Sequence, residues 1–226
     1  MKKLILLHGA LGADSLFDPL KTELEGHFDC YNFNFSGHGR QAFNAEGFGI
    51  DTFAAELKTF IQAHDLAGSP VFGYSMGGYV ALYLASQEPG LISGILTLGT
   101  KFGWNPEAAA KEAAMLKPEV MTEKVPAFTE MLEARHGAQW KALVEATAKM
   151  MIGLGNTPLL TEATLSSIDI PVTIGLGEKD RMVSQGESTW ATQFLASGSF
   201  QLFENTPHPL EKVDPKALSE VILDLF

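Results

Sequence analysis

The chain has 226 residues, with 16 basic and 27 acidic side chains for a formal charge of −11, and 46% of its residues are hydrophobic. That length suits one α/β domain with a core large enough to need no covalent staples, and the acidity argues against nucleic acid or an anionic membrane as partner. Cys30 is the lone cysteine, which excludes an internal disulfide; Leu4–Leu7 is too short for a signal-peptide core and no run is long enough for a membrane span, so a cytoplasmic location is expected.

Lys2 to Leu7 reads as a fully buried strand, ended by His8-Gly9-Ala10-Leu11-Gly12. The glycines let this loop turn tightly off the strand and aim a backbone amide, that of Ala10, toward the point where Ser75 emerges from a later strand. Asp14 or Ser15 is placed to cap a helix from Leu16 to about Gly26. A second strand, Phe28 to Phe35, runs into Ser36-Gly37-His38-Gly39-Arg40, where His38 reads as structural and Arg40 faces either the pocket or solvent. Asp51 to Ala63 is an amphipathic helix.

Val71 to Tyr74 is a short strand that leads into Gly73-Tyr74-Ser75-Met76-Gly77, a G-x-S-x-G sequence followed by a long apolar helical run. This pattern is the nucleophile elbow, a sharp strand-to-helix turn that projects the serine hydroxyl above the sheet. Strand and helix pass too close for a β-carbon at Gly73 or Gly77. Because Ser75 opens the helix, the Met76 amide is an unsatisfied donor at the positive end of the helix dipole, suited to a developing oxyanion. A serine is a weak nucleophile unaided, so the elbow demands a histidine and an acid from elsewhere in the chain.

The helix after Ser75 runs to about Gln87, and Leu91 to Leu98 is another strand, ended by Gly99-Thr100-Lys101. From Lys101 to Ser167 the character changes to helices, expected at Pro106–Lys117, Pro118 to about Arg135 and Gln139 to about Leu154, with prolines in first-turn positions. This segment, 101–167, reads as a helical lid inserted in a core formed by 1–100 and 168–226. It has seven basic and eight acidic residues, and it holds five of the eight methionines (Met115, Met121, Met131, Met150, Met151) with Trp104 and Trp140. Met and aromatic residues at helical spacing are ordinary packing, and they also suit a pocket for an apolar substrate portion. His136 reads as a solvent-facing histidine at a helix end.

Strands resume at Ile170–Leu176, followed by Gly177-Glu178-Lys179-Asp180, and at Ser199–Phe203, followed by Pro207-His208; a closing helix spans Pro215 to Phe226. Six strands separated by helices predict a three-layer α/β/α fold on a mostly parallel sheet, whose reactive loops gather at the carboxyl ends of the strands. Ser75, Asp180 and His208 each follow a strand end, in the chain order that the elbow calls for. Glu178 is a neighbouring carboxylate, and Asp180 is favoured over it.

His8-Gly9, Gly37-His38-Gly39, the Ser75 elbow, Gly177-Glu178-Lys179-Asp180 and His208 with Asp214-Pro215, taken together and in this order, resemble an α/β-hydrolase over essentially the whole chain. The resemblance implies Ser75 as nucleophile, His208 as general base and then acid, Asp180 as the group that orients His208, and the amides of Ala10 and Met76 as oxyanion hole. It implies an enzyme of the serine-esterase type acting on a small ester or thioester, without cofactor or metal. Candidate substrate contacts are Leu11, Lys101, which would attract a carboxylate, Trp104, Met121, Trp140 and Met182. A lyase or synthase resembling the α/β-hydrolase-fold enzymes of menaquinone synthesis, or a receptor resembling the hydrolase-fold hormone receptors, fits the same fold. Two departures stand out: the family's usual first two strands are absent, and Pro207 replaces the usual glycine before the last histidine.

Overall fold

The computed structural model describes residues 1–226. Its strands are β1 (Lys2–Leu7), β2 (Phe28–Asn32), β3 (Ser69–Tyr74), β4 (Ile92–Leu98), β5 (Pro171–Gly177) and β6 (Ser197–Phe203), joined in one sheet of order β2-β1-β3-β4-β5-β6. All five pairings are parallel. The second strand ends three residues before the expected Phe35, because its register with β1 stops at Leu6 opposite Asn32. Phe33 and Phe35 then turn into an aromatic cluster with Phe53 and Phe60.

The pleat divides the apolar residues between two cores. Ile5, Leu7, Val71, Ile95, Val172 and Ile174 face one way, against α2 (Ile50–Ala63), α3 (Met76–Gln87) and α9 (Gln185–Phe194). Leu4, Leu6, Phe72, Tyr74, Leu96 and Leu98 face the other, against α1 (Asp18–Glu23) and α10 (Pro215–Leu225). Burial on both faces explains why the strands read as continuous aliphatic runs instead of alternating ones.

Between β4 and β5 lie five helices: α4 (Pro106–Met115), α5 (Pro118–Lys124), α6 (Pro126–His136), α7 (Trp140–Asn156) and α8 (Glu162–Ser166). The single helix expected from Pro118 to Arg135 is two. Pro126 has no amide to donate and disfavours helical backbone at Val125, which sits at φ −138°, ψ 57°, so one helix ends and the next begins there. Glu187 caps α9 through a reciprocal bond with Ser184, and its other oxygen accepts the Gly103 amide (3.0 Å), tying the start of this segment to the sheet layer.

The chain runs from β1 outward to β2 and then crosses back to β3 on the other side of β1. The loops leaving β1 and β3 therefore diverge at the carboxyl end of the sheet and leave a crevice between them, the place where open α/β sheets bind ligands.

Candidate active site

Ser75 stands at that crevice with φ 50° and ψ −114°, a strained pose for a residue with a side chain. A β-carbon at Gly77 would collide with the Leu7 carbonyl, and one at Gly73 would meet Gly78 Cα at 2.5 Å. Glycine at both positions is thus what lets α3 pack onto β1 and β3 while holding the elbow closed. The turn is fixed on its far side by β4: the Ser75 amide donates to the Leu98 carbonyl (2.8 Å), and the Thr100 hydroxyl donates to the Ser75 carbonyl (2.9 Å).

Asp180 and His208, 28 residues apart in sequence, are brought together by the loops after β5 and β6. His208 Nδ1–H donates to Asp180 Oδ2 at 2.7 Å, and the aspartate side chain is 1% exposed. Burial opposes the aspartate's charge, but the hydrogen bond and the proximity of His208, with the amides of Met182 and Val183 on Oδ1, outweigh it and hold the carboxyl below its ordinary range. In the tautomer with its one proton on Nδ1, Nε2 presents a lone pair. It makes no protein hydrogen bond, and neither does the Ser75 hydroxyl.

Two features seat this pair over the elbow. Gly99 follows Leu98 with φ 66°, and a β-carbon there would stand 3.2 Å from both Asp180 Oδ2 and His208 Nδ1. Tyr74, the residue before Ser75, donates its hydroxyl to the His208 carbonyl at 2.7 Å. The two loops are also laced to each other, since Glu178 N donates to Phe203 O and Lys179 N to Thr206 O (2.9 Å each), while Glu178 Oε2 accepts the Asn205 amide at 2.8 Å. Glu178 is thereby a capping group of the histidine loop, and Pro207 is accommodated because the loop is held through the residues on either side of it.

A cavity of about 50 Å³ opens beside Ser75, lined by Ala10, Ile50, Met76, Tyr79, Lys101, Trp104, Met150, Met151 and Leu154. The amides of Ala10 and Met76 make no bond in the surrounding loops and turns. The cavity is apolar apart from Ser75 and Lys101. The Lys101 ammonium is already engaged: it lies 3.5 Å from Glu112, donates to the Met182 carbonyl at 3.2 Å and sits over the Trp104 ring.

Of the other expected substrate contacts, Leu11, Met121 and Trp140 pack together with Leu132, Leu143 and Val144 and do not line the cavity. Met182 projects from the Asp180 loop and is 45% exposed. Arg40 takes the solvent course: it is exposed, and its guanidinium donates to the Ala134 carbonyl at the end of α6 (3.1 Å).

His136 corrects an expectation. It is 1% exposed, not solvent-facing: Nδ1 accepts the Gly39 amide (3.0 Å) and Nε2–H donates to the Leu11 carbonyl (2.9 Å). It joins His8 and His38 in a buried trio, with ring centroids at 4.9 Å for His8–His38 and 6.0 Å for His38–His136. Burial dominates all three and lowers their pKa values, that of His8 to about 4. No group of three or more His, Cys, Asp or Glu side chains is arranged to hold a metal ion.

The sequence family described as alpha/beta hydrolase fold matches residues 2–166. The chain belongs to that family. A non-heme chloroperoxidase of Streptomyces lividans is 27% identical over 248 aligned residues, covering 96% of this chain and 88% of that one. A pimeloyl-[acyl-carrier protein] methyl ester esterase of Neisseria meningitidis is 24% identical, covering 92% and 87%. Among solved structures, an esterase from Exiguobacterium antarcticum superposes with a TM-score of 0.81 at 19% identity over all of this α/β hydrolase and 91% of that chain. No helix of this family member is long and apolar enough to cross a membrane.

Proposed function

We propose that this α/β hydrolase is a serine hydrolase that cleaves a small carboxylic ester or thioester through an acyl-enzyme, with the 101–167 helices acting as a lid over the acyl pocket. The observation that supports the reading is an unpartnered serine hydroxyl at a cavity with two unpartnered amides, Ala10 and Met76, together with an imidazole that a buried carboxylate orients on a loop tethered to the elbow by the Tyr74 hydroxyl.

In this reading Ser75 Oγ attacks the substrate carbonyl as His208 Nε2 takes the hydroxyl proton, and the oxyanion is received by the amides of Ala10 and Met76. The imidazolium is balanced by Asp180, and its proton passes to the departing alkoxide or thiolate as the C–O or C–S bond breaks. Water then attacks the acyl-Ser75 ester with His208 as base, and the proton returns to Ser75. The hydroxyl and Nε2 close their hydrogen bond when substrate is bound, as catalytic contacts tighten in the Michaelis complex.

The test is burst kinetics with p-nitrophenyl acetate. The parent should show a burst of p-nitrophenolate and take up a fluorophosphonate on Ser75, and Ser75→Ala should lose both with a fall in kcat of about 10³-fold or more. Hydrolysis by Ser75→Ala at the parent rate overturns the reading. Analysis of products from unactivated esters then distinguishes hydrolysis from a lyase reaction in which Ser75 acts as base.

A further inference from the structure

Leu11 is one of five non-glycine residues with positive φ, at 59°. It occupies the third position of the turn Gly9 to Gly12, closed by the Gly12 amide on the Gly9 carbonyl at 3.0 Å. That position ordinarily takes glycine or asparagine, because a branched side chain is strained there. What holds leucine in this pose comes from the helices inserted between β4 and β5. Its side chain is buried among Met121, Leu132, Trp140, Leu143 and Val144. Its carbonyl accepts two hydrogen bonds from the end of α6, from Arg135 Nη1 at 3.0 Å and from His136 Nε2–H at 2.9 Å. The second guanidinium nitrogen of Arg135 donates to Glu211 Oε1 at 3.0 Å, three residues beyond His208. The planar fork is thereby oriented by Glu211 and delivered to Leu11, and it is only 12% exposed.

We propose that Arg135 is a positioning residue for the reaction: from α6 it holds the Gly9–Gly12 turn in its strained pose and so keeps the Ala10 amide aimed at the substrate oxygen. The proposal rests on the Ser75 hydrolase reading. It makes the helical insertion a working part of the oxyanion hole in addition to a cover for the acyl pocket. Without the guanidinium, the Leu11 carbonyl keeps one of its two donors, the turn relaxes from its positive φ, and the Ala10 amide is no longer preorganised.

The experiment compares the parent, Arg135→Ala, Arg135→Lys and Ser75→Ala on p-nitrophenyl acetate, at a temperature where circular dichroism shows each to be folded and with rates expressed per folded molecule. Arg135→Ala should lower kcat by about tenfold to a hundredfold with KM changed by less than about threefold, because the lost interaction acts on the transition state. Arg135→Lys should recover part of the loss, and millimolar guanidinium should raise the kcat of Arg135→Ala without raising that of the parent. A parent rate in Arg135→Ala, a loss confined to KM, or no response to guanidinium overturns the proposal. If the parent itself proves no faster than Ser75→Ala, it is the hydrolase reading that fails; an active parent with an equally active Arg135→Ala removes only the role of Arg135.

Discussion

Tyr74 occupies the variable position before the serine in the elbow, where the pattern G-x-S-x-G sets no requirement, yet its hydroxyl anchors the histidine loop from 134 residues away. Burial pushes its pKa well above the ordinary phenol range, so it remains a hydrogen-bond donor at any working pH. Tyr74→Phe leaves the His208 carbonyl without that donor. The expected cost is about 1 kcal/mol of stability, read as a lower denaturation midpoint at unchanged slope. A several-fold lower kcat should accompany it, because the His208 ring loses the tether on its own backbone; an unchanged midpoint and rate would show the bond to be idle. Ser75 and its two glycines were legible in the sequence because each answers to backbone geometry within five residues. Tyr74 was not, since a phenol on a strand looks like core until its partner is known.

At the scale of the element, α7 does two jobs along its length. Its first turns put Trp140, Leu143 and Val144 into the cluster around Leu11, and its last turns put Met150, Met151 and Leu154 against the cavity beside Ser75. Of the five methionines in the inserted segment, these two line the cavity, while Met115 and Met131 are exposed and Met121 is buried elsewhere. A space of about 50 Å³ takes only a few non-hydrogen atoms. Short acyl groups are therefore expected: p-nitrophenyl acetate and butyrate should exceed the octanoate in kcat/KM by about tenfold or more, a few missing or clashing methylenes each contributing about 1 kcal/mol or more. Leu154→Ala should shift the preference toward longer chains at a cost of about 2 kcal/mol in stability. An unaltered chain-length profile in that variant would mean that the acyl group lies elsewhere.

At the scale of the whole molecule, the buried histidines make acid sensitivity a property of the fold. His8, His38 and His136 come from the loop after β1, the loop after β2 and the end of α6, and all three have pKa values lowered by burial. The charged groups facing them are Asp14, which favours protonation of His8, and Arg135, which opposes protonation of His8 and His136; His136 also opposes protonation of His8, and both of them oppose that of His38. In the unfolded chain they protonate near pH 6.5, so below that pH the unfolded state binds more protons than the folded one. Stability is then fully present above about pH 7 and falls as pH drops toward about 4, by at most about 1.4 kcal/mol per pH unit for each proton taken up on unfolding. Asp180, held below its ordinary range, adds a loss of the same sign at still lower pH. Melting temperatures from pH 8 to pH 4 check this: a plateau above pH 7 and a decline beginning near pH 6.5 are expected, and equal melting temperatures at pH 7.5 and pH 5 would contradict it.

The order of the strands, the elbow and the three strand-end loops that carry Ser75, Asp180 and His208 were determined by the sequence alone. Hydrophobic runs, prolines at helix starts and glycines at close approaches act over a few residues, and a parallel sheet collects its strand ends on one edge whatever the lengths between them. Tertiary structure alone decided the rest. His136 reads as a surface residue until Leu11 and Gly39 arrive from about a hundred residues away, Glu178 reads as a rival acid until it caps Asn205, and Arg135 has no visible task until Leu11 presents its carbonyl. Each of these side chains is polar and unremarkable in its local context, and its role comes from a partner that only the packing of loop against helix supplies.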